Sequence, residues 1–453
     1  MTLRSTLPGL GWPAFAEPGT ATVLALAWQL EQSQWWSPAE LARHADRQRA
    51  RVLHHAATTA PAYAALLDDG PLAADADGVD AARWARIPVR TRDDLIAAGD
   101  TLLSRRYPAS HGAAHEVLTS RTTGSPVRLR ATDAMAALWN AITLRDHAWH
   151  RRDLHAHLAA IRHVAGGARP PDGERRRGWG PATDPLAPDA PLSVLSITAT
   201  IDEQVAWLVR ADPTYLLIYP SALDAVVRTL ADRGLRLPAL RQVRTVSEAL
   251  APATRALVRE VLGVPVIDTY SAQEVGYVAL ECPSAPGVYH LQAERLHVEL
   301  LDDHGRPCAP GEEGRVVVTD LHNFATPVIR YDLGDRAVAA APCACGRGLP
   351  TVGRILGRRR GLLRYPDGRA AWPVFTVACR EAARYRECQL VQEALDALRL
   401  RVVAPAPLTT ADRAALTAAL HRALGHPFAV TVEQVDALDR SPTGKLEEFR
   451  SLV

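Results

Sequence analysis

From residue 192 to residue 269 the chain alternates short β-branched runs with stretches of helical periodicity, and few folds accept that alternation. Strand-like runs at 192–198, 215–219, 243–247 and 264–269 are separated by helical stretches at 203–210, 223–233 and 252–262. Repeated strand–helix–strand units of this kind build a parallel sheet covered by helices. Ligands of such sheets collect at the carboxyl ends of the strands, so the residues just after Thr269 fall where chemistry is expected. Segments 297–301 and 314–319, with a turn at Asp302-Asp-His-Gly305, read instead as an antiparallel region.

A chain of 453 residues exceeds one compact core, so at least two domains are expected. The pattern restarts after Gly357: a hairpin at 362–365 turning through Pro366-Asp-Gly368, a helix from Val374, a strand at 397–403, a helix at 410–424 and a strand at 428–435. The fold class expected is α/β, with a large N-terminal domain over 1–357 and a small α+β domain over 358–453. Toward the N-terminus, Ser37-Pro-Ala-Glu40 caps a helix running to about Ala57, and the loop 87–93 leads into another capped helix. Between Gly166 and Pro191 the chain is too irregular for an element; a substrate lid and a disordered surface insertion are both open.

Charge excludes some functions. The 52 basic residues stand against 50 acidic ones, for a net charge of +2, so no basic stripe for nucleic acid is expected. The apolar stretch 22–28 is too short to span a bilayer, and a cytoplasmic protein without membrane partners is expected. One basic residue differs in kind, because Lys445 is the sole lysine and lies in Arg440-Ser-Pro-Thr-Gly-Lys445. Lysine is a compact charge on a flexible stem, suited to a single phosphate or carboxylate oxygen where the broad arginine fork is not.

Three other segments can carry chemistry. Thr119-Ser-Arg-Thr-Thr-Gly-Ser-Pro126 follows a β-like run and offers hydroxyls and amides that can wrap phosphate oxygens, although a Ser/Thr-rich hairpin turn would look similar. Asp268-Thr-Tyr-Ser-Ala-Gln-Glu-Val-Gly276 offers Tyr270 for stacking on a base and Glu274 as a hard oxygen ligand, or an ordinary strand-end tyrosine and surface acid. Ile329-Arg-Tyr-Asp-Leu-Gly-Asp335 sets two carboxylates around a glycine, suited to the two hydroxyls of a ribose or to a simple turn.

In this order the segments resemble the adenylate-forming superfamily, and within it the phenylacetate–coenzyme A ligase family, in particular its coenzyme F390 synthetase-like, capsule-associated branch. Tyr219-Pro-Ser-Ala-Leu223, Val243-Arg-Thr-Val-Ser-Glu-Ala-Leu250, Cys343-Ala-Cys-Gly-Arg-Gly-Leu-Pro350, Ile355-Leu-Gly-Arg358 and Pro442-Thr-Gly-Lys445 extend the resemblance from about residue 85 to the C-terminus. It implies that Ser120, Thr122, Thr123 and Gly124 cradle the phosphates of ATP, while Ser247, Glu248, Ala249, Tyr270 and Ser271 hold the nucleotide. It implies further that Glu274 binds Mg²⁺, Asp335 the ribose, and Arg358 the ribose or phosphate near the interdomain hinge.

Lys445 would bridge the substrate carboxylate and the α-phosphate, on a C-terminal domain that rotates after adenylation. The implied reaction is ATP-dependent activation of a small carboxylic acid, aryl or arylacetic, with transfer to coenzyme A. A carrier protein or an amine as acceptor, or AMP transfer itself, stays open. Trp149, Trp179 and Tyr219 are candidates to line the acid pocket. Two departures stand out: Arg121 and Ser125 occupy phosphate-loop positions that are usually glycine and often lysine, and Arg360 replaces an acid near the hinge.

Six cysteines in so long a chain do not make a secreted disulfide framework. Cys282, His290, Cys343 and Cys345 supply the ligand count and type of a structural zinc site, and some relatives carry a similar region; free buried thiols are the alternative.

Overall fold

The structure is a computed structural model that describes residues 3–68, 70, 73, 76–118, 127–164, 167–358, 363–371, 373, 375–440 and 446–453. Its contacts divide the chain into two compact units, one of Met1–His157, Arg175–Leu192 and Ile267–Leu356, the other of Leu158–Glu174, Ser193–Val266 and Gly357–Val453. The class is mixed α/β, with the last ninety-odd residues forming their own small sheet.

In the second unit, strands Leu158–Arg162, Tyr215–Ile218 and Gln242–Val246 pair in parallel, registered Leu158↔Tyr215 and Tyr215↔Gln242. Helices Ile201–Ala211, Pro220–Asp232 and Pro252–Leu262 alternate with these strands. Local chemistry sets their ends. Thr200 and Glu203 form a reciprocal capping box, Pro220 and Pro252 sit in first turns where no N–H is needed, and Gly263 at φ +70° stops the third helix. Ile161, Leu195, Leu208, Leu216, Val227 and Val243 fill the layer between helices and sheet.

Residues 357–453 of the same unit form a four-stranded sheet in the order Ala429–Gln434, Ala397–Val403, Glu387–Ala394, Phe449–Ser451. The central pair is antiparallel and each outer strand runs parallel to its neighbour. Helix Thr410–Leu424, boxed by Thr409 and Asp412, presses Leu416 and Leu420 onto Leu390, Leu398 and Leu400. The strand Glu387–Ala394 is invisible to a period-two pattern because Gln389 and Gln392 are buried on it. Gln392 is accepted there because its amide donates to the Arg364 carbonyl and its oxygen receives the Arg364 N–H.

The first unit carries helices Pro18–Ser33, Pro38–Thr59 and Asp133–Trp149 beside a sheet ordered Leu296–Leu301, Glu313–Asp320, Tyr331–Ala339, Thr351–Arg358, Tyr289–Leu291, Gly276–Glu281, Val266–Ala272. The 297–301 and 314–319 segments pair antiparallel, as their turn signal implied. Val266–Ala272 differs from its neighbours in sequence, since it pairs antiparallel with Gly276–Glu281 and so closes a hairpin around Glu274. The 166–191 stretch is less irregular than its composition suggests, for it contains the strand Glu174–Arg177. Among the described residues no helix is long and apolar enough to cross a membrane.

Leu400 is fully buried in the C-terminal core, whereas Leu395 is 48% exposed at the turn of the same hairpin. Leu400→Ala is expected to lower unfolding free energy by about 2–5 kcal/mol. Leu395→Ala is expected to change it by less than about 0.5 kcal/mol. Urea titration of the two variants beside wild type measures both, and equal effects would refute the placement of this core.

Candidate functional site

In the second unit the strand Gln242–Val246 ends in a bend where Ser247 takes φ +75°, an uncommon conformation for a residue with a side chain. That bend delivers the half-buried Glu248 carboxylate to two backbone donors. Glu248 Oε2 accepts the N–H of Ser221 at 2.9 Å, in the first turn of helix Pro220–Asp232, and Oε1 accepts the N–H of Leu446 at 3.1 Å. A carboxylate suits a helix N-terminus because unpaired N–H groups and the helix dipole converge there. Burial nevertheless pushes the Glu248 carboxyl above its ordinary value, against the pull of Ser221, Leu446 and Arg440. Ala249 lies near Gly357, which takes φ +88°, a conformation that favours glycine; a Cβ there would be in ordinary contact with Ala249 Cβ at 3.7 Å.

Further ionic ties surround this contact. Arg380 binds Asp224 at 2.5 Å, Arg440 pairs with Glu387, and Arg386 reaches Asp202 at 2.8 Å. Glu448 sits among them, and burial pushes its carboxyl up to about 7, with Arg380 opposing and Asp224, Glu248 and Glu387 reinforcing.

In the first unit the hairpin Val266–Ala272/Gly276–Glu281 sets out the Asp268–Gly276 segment. Tyr270 is buried and its hydroxyl donates to Asp335 Oδ2 at 2.8 Å. Asp335 lies just past Gly334, which takes φ +75°, on strand Tyr331–Ala339. Two residues expected to hold nucleotide are therefore brought together across 65 positions of sequence. Ser271 follows Tyr270 on the strand and is partly exposed. Glu274 occupies the hairpin turn, mostly shielded, with Arg92 Nη1 3.4 Å from its carboxylate.

Arg92 is a residue that sequence reasoning missed. Thr91 and Asp94 form a capping box around it, which fixes Arg92 in the first turn of helix Arg92–Ala98. The box is legible in sequence, but its meeting with Glu274 is not.

The expected pocket residues make the following contacts. Trp149 is buried, donating from Nε1 to Gln34 at 2.7 Å and lying beneath the Arg347 guanidinium at 4.4 Å. Trp179 donates to the Ala156 carbonyl at 3.1 Å, and Tyr219, in the second unit, accepts the His163 N–H at 3.5 Å. Ser120, Thr122, Thr123, Gly124 and Lys445 lie outside the described residues, as does the side chain of Arg358 at the end of its strand.

Cys282, His290, Cys343 and Cys345 converge, their ligand atoms all within 4.8 Å of one another. Cys282 and Cys343 sulfurs are 3.8 Å apart, and Cys345 Sγ is 3.3 Å from His290 Nε2. Tetrahedral zinc with Zn–S bonds of about 2.3 Å separates two sulfurs by about 3.8 Å, so the donor set fits that ion. Burial drives His290 down to about 4, leaving the neutral imidazole that a metal requires, and its Nδ1 faces the Leu349 carbonyl at 3.4 Å. Burial and the neighbouring thiols raise Cys282 to about 11, crowding that a bound cation would relieve.

No family model matches the chain. Among curated proteins, a phenylacetate-coenzyme A ligase of Thermus thermophilus is 28% identical over 179 residues, 38% of this chain and 40% of that protein. The corresponding ligase of Escherichia coli is 32% identical over 118 residues, 25% of this chain and 26% of that protein. These matches thus span two-fifths or less of the length of the relatives. A solved 2-hydroxyisobutyryl-CoA ligase in its postadenylation state superposes with a TM-score of 0.69, at 18% identity over 93% of this chain and 91% of that one. The fold is that of adenylate-forming ligases.

Because Glu448 binds a proton in the folded state that the unfolded chain has released, its contribution to stability is highest at low pH. That contribution falls as pH rises from 4.5 through about 7. Unfolding free energy is expected to drop by about 2–4 kcal/mol across this window on account of this group, and Glu448→Gln is expected to flatten the drop. Urea titrations at pH 5 and pH 8 give the comparison; the same slope in both proteins would remove Glu448 as its source.

Proposed function

We propose that the protein activates a carboxylic acid with Mg-ATP. A carboxylate oxygen attacks the α-phosphorus, the bond to pyrophosphate breaks, and an acyl-adenylate forms. A coenzyme A thiolate then attacks the acyl carbon and AMP leaves with its oxygen. The reading is supported above all by the hydrogen bond from Leu446 N–H to Glu248, which ties the residue following Lys445 to the segment expected to meet adenine.

Tyr270 and Asp335, already joined, are assigned to the adenosine, and Glu274 to the magnesium ion, which would neutralise phosphate charge. Arg92 shares the Glu274 carboxylate and would fix its orientation. Lys445 is assigned to the charge that grows between carboxylate and α-phosphate, where a preorganised cation acts most strongly. Ser120, Thr122, Thr123 and Gly124 are assigned to the phosphates beyond it. Similarity to phenylacetate-coenzyme A ligases supports an arylacetic or related acid and a coenzyme A acceptor.

The Cys282, His290, Cys343 and Cys345 set is assigned to one structural zinc ion. It would pin the loop before strand Thr351–Arg358 to strand Tyr289–Leu291, which pairs with it for only two residues, Tyr289↔Val352 and His290↔Thr351.

Two experiments test these assignments. Pyrophosphate release with Mg-ATP and a panel of aromatic and aliphatic acids is expected to depend on the acid and to fall about 10²–10³-fold in Lys445→Ala. An acyl-coenzyme A mass is expected when coenzyme A is added; AMP retained on the acceptor would replace this reading with nucleotidyl transfer. Elemental analysis of protein purified without chelator is expected to give about one zinc per chain, lost in Cys343→Ser with a lowered Tm. Absence of zinc from wild type would rule the metal out.

A further inference from the structure

Gly276 follows Glu274-Val275 at the head of strand Gly276–Glu281, with φ +82°. A Cβ there would lie 2.8 Å from Trp139 Cε3 and 2.9 Å from Arg295 Nη1, so an indole and a guanidinium close directly over the backbone beside the proposed magnesium ligand. The two side chains differ in how they are held. Trp139, on helix Asp133–Trp149, is 36% exposed and leans on the Tyr277 ring at 4.9 Å, giving a two-ring aromatic wall with solvent on one side.

Arg295 is 4% exposed and has a single acid, Asp320, whose Oδ2 lies 3.2 Å from Nη2. Asp320 is also engaged elsewhere, because Oδ1 accepts the N–H groups of His322 and Asn323. Nε and Nη1 of Arg295 are buried and have no acceptor among the described residues. A buried donor left unmade is costly; other arginines here leave Nε unpaired too, but the Arg295 donors lie beside a partly exposed indole, where a ligand oxygen can supply the acceptor.

The charge balance narrows what that acceptor is. Asp320 already neutralises Arg295, so the free Nη1 calls for a dipolar oxygen rather than a second full anion. Trp139 carbons share the space over Gly276 with Nη1, and an aromatic face suits a ring.

Resting on the acid-activating reading above, we propose that Trp139 and Arg295 form the acyl-recognition end of the site. The preferred substrate is then an aromatic carboxylic acid carrying an oxygen substituent, a hydroxyl or carbonyl. The ring packs on the Trp139 indole, which turns outward to admit it, and the substituent oxygen accepts a hydrogen bond from Arg295 Nη1. The buried donor makes the site discriminate, because an acid lacking the oxygen leaves Nη1 unpaired, and sites built to hydrogen-bond a substrate group reject analogues without it.

The test measures kcat/KM for acid-dependent pyrophosphate release with phenylacetate and with its 3-hydroxy and 4-hydroxy derivatives, using the full chain. Wild type is expected to favour one hydroxylated acid by at least about tenfold. Arg295→Lys keeps a cation opposite Asp320 but lacks Nη1, and is expected to erase that preference, lowering kcat/KM for the favoured hydroxylated acid by a larger factor than for phenylacetate. Trp139→Ala is expected to lower all three acids together. Circular dichroism melting of Arg295→Lys controls for folding, and Arg295→Gln, which keeps one donor amide, is measured if the lysine variant melts early. No preference in wild type, or equal loss of every acid in a folded Arg295 variant, overturns this inference alone. Release with none of a broad acid panel overturns the parent reading and this one with it.

Discussion

One carboxylate organises the second unit. Glu248 leaves the end of a parallel strand in a strained bend and takes N–H groups from a helix N-terminus and from the C-terminal segment at Leu446. A carboxylate removed from water needs such donors, and here each donor belongs to a different element. The parallel layer, the helix Pro220–Asp232 and the C-terminal segment are thereby tied at a single point. The surrounding pairs, Arg380 with Asp224 and Arg386 with Asp202, extend the tie across the face of the helices. Burial raises the Glu448 carboxyl, and the acids that arrangement gathers reinforce the rise.

The first unit solves a different problem. Its hairpin reverses direction after Ala272 so that Tyr270, Glu274 and Gly276 stand on one short length of chain, facing Asp335, Arg92 and Arg295 in turn. Two of these meetings are satisfied internally and the third is not, since Arg295 retains buried donors. Several buried polar atoms of this chain lack a partner, and those of Arg295 are set apart by their place behind Gly276, beside the partly exposed Trp139.

Much of the fold was legible because period and punctuation agreed. The helix at Pro252–Leu262 begins at its proline and ends at Gly263, and the helix Thr410–Leu424 lies between Thr409 and Gly425, so local chemistry alone set both. The strands Glu387–Ala394 and Leu158–Arg162 were not legible. The first buries glutamines satisfied by residues outside the strand, and the second is a short buried run without alternation. The helix Asp133–Trp149 was missed for a related reason: it buries Arg145, Asp146 and His147 together with its apolar residues, which blurs its polar face.

The sequence by itself determined the alternating α/β order and the helix ends set by local caps, because these depend on neighbours within a few positions. It also picked out Cys282, His290, Cys343 and Cys345 together, though not their convergence. Only the tertiary structure decided that Tyr270 meets Asp335, that Arg92 meets Glu274, and that Arg295 comes to lie behind Gly276. Those pairings join residues far apart in the chain, where the cost of closing the loop is repaid by burial and by hydrogen bonds that no local pattern encodes.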